Sequence, residues 1–119
     1  MFTSINKRVD DMLTVEIHEE AIQAAHDAVR AHRAKHGNKF FGCGFAWVTS
    51  YEKGNTKFGK SFVKNGGFSK SYDGGYKLWD PANTGSQCIV EKETGAQAYV
   101  DVIRKYFPEA KVYANSRLD

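Results

Sequence analysis

FFGCGFAWVTS, residues 40–50, decides the fold reading of this chain. It is too apolar and too aromatic to lie on an open surface, and it predicts a central strand. Gly42 and Gly44 are two residues apart and therefore share a face of that strand. Their missing side chains leave room for a packed helix, a bend or a ligand against the backbone. Packing of the alanine-rich helix that precedes the strand is the expected use.

That helix is read across Ile17–His36. Ile17, Ala21, Ala24, Ala25 and Ala28 recur at helical spacing with His32 next on the stripe, while Glu19, Glu20, Asp27, Arg30, Arg33 and Lys35 take polar positions. Acidic residues come early and basic ones late, the order the helix dipole favours. Thr14 is the expected N-cap and Gly37 the stop. After the turn-like YEKGN, the i, i+4, i+5 spacing of Phe58, Phe62 and Val63 predicts a short helix closed by Gly66 or Gly67. Phe68–Tyr72 and Gly75–Trp79 then alternate around DGG, a hairpin signal. WDPANTG reads as a loop, Gln87–Val90 as a strand, and Ala96–Phe107 as a second main helix capped by Thr94 and stopped by Pro108. Lys111–Ala114 returns as a last strand. The chain is thus expected to be one α+β domain over residues 15–119, behind an N-terminal arm at 1–14. Its sheet is mostly antiparallel, with two main helices and one short helix.

With 119 residues, 41% of them hydrophobic, and only two prolines, the composition suits one globular domain and neither a disordered nor a fibrous chain. MFTSINKRVDDML lacks the apolar core of a secretory segment, and no run approaches the length of a membrane span, so the expected setting is cytoplasmic with no membrane partner. Cys43 and Cys88 form no CxxC pair. One disulfide between them can be drawn, but thiols in probable strands are expected to stay reduced and structural.

The functional signal is the distribution of charge. The formal net charge is only +3, yet between Lys53 and Lys77 six lysines face a single acidic residue, among five aromatics and six glycines. Such a segment suits an anionic and planar ligand, although lysines spread around a fold would focus no field. GNTKFGKS matches GxxxxGKS in letters through Gly54, Gly59, Lys60 and Ser61. Its context does not match: bulky Phe58 fills the turn, no Walker B strand follows, and chance agreement is the favoured reading. A generic phosphate contact by Lys57, Lys60 and Ser61 survives that objection. His32 and His36 are four apart, but two imidazoles without a third ligand read as structural or surface residues, so neither a metal nor another cofactor is expected.

Phe68, Tyr72, Tyr76 and Trp79 sit among Lys64, Lys70 and Lys77, a composition able to stack bases while neutralising phosphate. Alternation puts Tyr76 and Leu78 on one strand face and Lys77 and Trp79 on the other, so the rings need not form a single platform. Arg117 adds a fork-shaped donor near the C-terminus, with Asp119 as a competing partner. A site would follow if Arg117 came beside the DGG hairpin and Lys60.

FFGCGFAWV, FSKSYDGGYKLWDP, EKETGAQAYVDVIRKYF and YANSRLD together resemble small proteins encoded by tailed bacteriophages. The resemblance covers nearly the whole chain and carries no active site. It implies work in the cytoplasm of an infected host cell. The leading expectation is a small phosphate-recognising protein, nucleic acid ahead of a nucleotide-like small molecule. Lys57, Lys60, Lys64, Lys70 and Lys77 would supply charge, Tyr72, Tyr76 or Trp79 stacking, and Arg117 directional hydrogen bonding. A module that binds a host protein or self-assembles into a homo-oligomer comes next. An enzyme ranks third, because no clustered acid, base or nucleophile is evident.

Overall fold

Thr14 opens the first helix by accepting a hydrogen bond from the Ile17 amide at 3.1 Å, and Gly37 ends it at φ 62°. The computed structural model describes residues 12–37, 42–72, 74–85 and 88–118. Helix α1 spans Val15–His36, strand β1 Gly44–Ser50, helix α2 Lys57–Gly66, strand β2 Ser69–Lys70, strand β3 Tyr76–Trp79, helix α3 Ile89–Tyr106 and strand β4 Val112–Leu118. The expected arm through residue 11, Phe40, Phe41, Asp73, Gln87 and Asp119 lie outside the described residues. Leu13, assigned to the arm, is fully buried. Its amide donates to Ser61 Oγ and its carbonyl accepts from Asn65 Nδ2, so the packed domain reaches at least that far.

The chain folds as a single α+β domain with three helices and a four-stranded antiparallel sheet of order β2-β3-β1-β4. From β1 onward the sequence of elements is βαββαβ. With β1 and β3 central, that connectivity is the split βαβ, or ferredoxin-like, arrangement, and α1 is an addition before it. Ala46 and Val48 of β1 and Val112 of β4 share one core with Ile17 and Ala21 of α1, Phe62 of α2, and Ala96, Tyr99, Val100 and Ile103 of α3. The helices therefore back the sheet face that carries the even-numbered residues of β1. Among the described residues no helix is long and apolar enough to cross a membrane.

Four local expectations are corrected. Gln87–Val90 was expected as a strand, but α3 already begins at Ile89, with Cys88 as its N-cap and an isolated bridge from Cys43 to Cys88 ahead of it. A short apolar run fits strand or helix alike, and burial of Ile89 on the same face as Ala96, Val100 and Ile103 decides for helix. Thr94 consequently lies inside α3, its hydroxyl bonded back to the Val90 carbonyl, and caps nothing. The helix that fills the space over Gly44 is α3 rather than the alanine-rich α1. A Cβ at Gly44 would stand 2.5 Å from Ile89 Cδ1. The last strand also runs four residues beyond Ala114.

Candidate functional site

Because side chains alternate along a strand, packing Ala46, Val48 and Ser50 against the helices turns Phe45, Trp47 and Thr49 to the opposite face, where Phe45 is exposed, Trp47 half-buried and Thr49 covered by its neighbours. The antiparallel register then fixes their neighbours. Trp47 stands opposite Trp79 and Thr49 opposite Lys77 across β3, while Phe45 meets Arg117, Trp47 meets Asn115 and Thr49 meets Tyr113 across β4. Phe45, Trp79 and Tyr113 are 37%, 50% and 44% exposed. The sheet face turned away from the helices is an aromatic surface.

Its centre is the Trp47–Trp79 pair, with ring centroids 4.8 Å apart at 41°. Phe45 meets Trp79 edge to face at 6.4 Å. Tyr51 and Tyr113 extend the rings along the face, 6.1 Å apart. Cations lie against these rings. Lys77 Nζ is 4.9 Å from the Trp47 ring and 5.8 Å from that of Trp79. Arg117 is 5.7 Å and Lys92 5.2 Å from Phe45, and Arg104 is 5.0 Å from Tyr113. Lys92 and Arg104 come from α3 and reach this face around the sheet: Lys92 also donates to the Gly44 carbonyl and Arg104 to that of Val112. Thr49 Oγ1 donates to Asn115 Oδ1 at 2.8 Å, fixing the side-chain amide of the residue opposite Trp47. The arrangement offers flat apolar faces for stacking, with two lysine and two arginine cations beside them for an anion.

Of the ten residues expected to bind, the register brings Lys77, Trp79 and Arg117 to this face. The others lie elsewhere. Lys60, Lys64 and Tyr76 line a second, shallow cleft with Gly54, Gly59 and Val63. Lys57 is exposed in the first turn of α2, and Lys70 and the fully exposed Tyr72 mark the hairpin end. Ser61 is buried at 3%, its hydroxyl held between the Leu13 amide and the Phe58 carbonyl, so it has no group to offer a ligand. The proposed meeting of Arg117 with the hairpin and Lys60 does not occur. Antiparallel pairing sets Arg117 opposite Phe45 at one end of β1, whereas Gly75 packs on Ser50 at the other.

GNTKFGKS does not form a phosphate loop. Helix α2 starts at Lys57, and the Thr56 side chain accepts the Gly59 amide that a phosphate would need. Gly59 is instead required by packing, since a Cβ there would lie 1.9 Å from the Lys53 carbonyl oxygen. The residues that sequence reasoning missed are Phe45, Trp47, Lys92, Arg104, Tyr113 and Asn115. Alternation within FFGCGFAWVTS was the available signal for the first two, because it sets Phe45 and Trp47 on the face opposite Ala46 and Val48.

Elsewhere, His18 Nδ1 lies 2.6 Å from the Tyr99 hydroxyl between α1 and α3. Burial holds the His18 imidazole below the usual histidine range, with Glu19 opposing it, and pushes the Tyr99 hydroxyl well above the usual phenol range. Arg33 donates to Glu91 at 2.8 Å and to the Thr84 carbonyl, joining α1 to the start of α3. The His32 and His36 rings are 4.5 Å apart. Among the described residues no three His, Cys, Asp or Glu side chains gather to hold a metal ion.

Comparison of the chain with protein-family models, with curated proteins and with solved structures finds no match in any of the three.

Proposed function

We propose that this protein binds single-stranded nucleic acid on the open face of its sheet. The observation that carries the reading is the Trp47–Trp79 pair with Lys77 over both rings. Splayed bases stack on exposed rings whatever their sequence, and a cation beside each ring meets the phosphate that follows the base. A four-stranded sheet backed by helices, with aromatics on its two central strands, is an arrangement that stacks two or three bases. The parallel with such modules is one of layout alone. A duplex, whose bases are already stacked, has no ring face to offer, and a flat sheet has no projecting element to enter its grooves.

Contact with a host protein or a second copy is the other reading. Tyr51, Tyr113 and Leu118, exposed at 54%, 44% and 69%, favour it. Cations crowded over the central rings favour the anionic ligand, because charged residues are depleted at the cores of protein interfaces. The resemblance to tailed-bacteriophage proteins would set either activity in the cytoplasm of an infected cell.

Fluorescence anisotropy with labelled single strands and matched duplexes across a salt series tests the proposal. Saturable binding that prefers single strands and weakens with salt is expected. Absence of binding at low salt, or equal binding of duplex, would overturn it.

A further inference from the structure

Cys43 and Cys88 are 45 positions apart in sequence, yet they stand opposite one another in an isolated antiparallel bridge. The bond that flanks them runs from the Ile89 amide to the Gly42 carbonyl at 2.9 Å. A bond from the residue after one partner to the residue before the other marks a non-hydrogen-bonded pair, the closer of the two antiparallel positions. Cα atoms there are about 4.5 Å apart and both side chains lean to the same side. A disulfide spans Cα separations of about 4.4–6.8 Å. The pair therefore meets the backbone requirement for a bridge as it stands.

The surroundings suit the chemistry as well. Both residues are thiols in this structure, Cys43 exposed and Cys88 buried. The exposed partner is open to an oxidant, and the buried partner stands directly across the bridge from it.

We propose that Cys43 and Cys88 are the site of an intramolecular disulfide, formed by exchange with a small disulfide such as oxidised glutathione. The Cys43 thiolate attacks one glutathione sulfur, releasing one reduced glutathione and leaving a mixed disulfide on Cys43. The Cys88 thiolate, its proton given to solvent, then attacks Cys43 Sγ and expels the second glutathione. Two protein thiols lose two electrons and two protons, and one glutathione disulfide becomes two thiols. The bridge would close a loop containing β1, α2, β2 and β3, and so enclose Trp47, Lys77 and Trp79. It rests on the backbone register alone and is independent of what the open face binds.

The test is to incubate the folded, reduced protein with excess oxidised glutathione, with and without urea, and to record intact mass, thiol content and melting temperature. With only two cysteines in the chain, an intramolecular bridge has one identity. The expected product is a monomer lighter by two hydrogens, formed without urea and melting about 5 °C or more higher. Cys43→Ser and Cys88→Ala, each folded by circular dichroism, should fail to give that product. A stable glutathione adduct on Cys43, a cross-linked dimer, bridging that needs urea, or a lowered melting temperature would each overturn the proposal.

Discussion

Trp47 and Trp79 face one another across β1 and β3 with their rings 4.8 Å apart, and Lys77, two residues before Trp79 on the same face, holds its ammonium over both. The relationship follows from period-two alternation and one antiparallel register. Slipping β3 by one residue against β1 would turn Trp79 toward the core and Leu78 out to solvent, and would break the indole pair.

Trp79→Ala removes a half-exposed ring that lies outside the core, so it should cost about 1 kcal/mol of stability or less. Its effect on binding should be larger, about 1–3 kcal/mol, the worth of one stacked base. Urea denaturation and anisotropy on the same variant separate the two effects. A variant that is strongly destabilised but binds normally would place the indole among packing residues.

Lys77→Ala should weaken binding and make the logarithmic salt slope shallower by about 0.7, the share of one phosphate on a single strand. The double variant Lys60→Ala/Lys64→Ala lies on α2, along the second cleft, and should leave the slope within error. The reverse pattern in a salt titration would move the binding site to that cleft.

The arrangement of rings was only half legible before the fold was known. The alternation YKLW, residues 76–79, correctly separates Lys77 and Trp79 from Tyr76 and Leu78, and Arg117 is visible as a cation near the end of a strand. What joins them is the central position of β1, which pairs with β3 on one side and β4 on the other. Non-local pairing of that kind leaves no mark in a local pattern. Density of lysine therefore pointed to Lys57, Lys60 and Lys64, which α2 directs elsewhere, and passed over Lys92 and Arg104, which reach the rings from α3. Helices with a clear stripe and cap, such as α1 from Thr14 to Gly37, were legible nearly to the residue. The start of α3 was not, because CIV suits a strand as well as a helix until Ile89 is seen packed over Gly44.

Gly59→Ala sets two effects of opposite sign against each other. Alanine inside a helix is favoured over glycine by about 1 kcal/mol. Here the new Cβ would fall 1.9 Å from a backbone oxygen, that of Lys53, which cannot swing away as a side chain could. The clash should win, and chemical denaturation should show a net loss of about 1–3 kcal/mol. A stabilised variant would contradict the packing of Lys53 against α2.

Acid should weaken the fold through His18. Burial lowers its folded value below the ordinary 6.5, so the unfolded chain binds the proton more readily. The contribution is therefore complete above about pH 6.5 and is lost as pH falls from there through the lower folded value. Urea midpoints measured between pH 8 and pH 5 should be level at first and then fall. His18→Gln should flatten that part of the profile, and an unchanged profile would exclude His18 as its source.

The central claim is that bases stack on the indole pair, and the chain supplies its own reporter. It holds two tryptophans, and Trp47 and Trp79 are both of them. Titrating a short single-stranded oligonucleotide while following intrinsic tryptophan fluorescence should quench the emission saturably, with a midpoint matching the anisotropy curve and moving to higher concentration as salt is added. Binding seen by anisotropy with no change in tryptophan emission would contradict the account, because the nucleic acid would then be held somewhere other than the open face of the sheet.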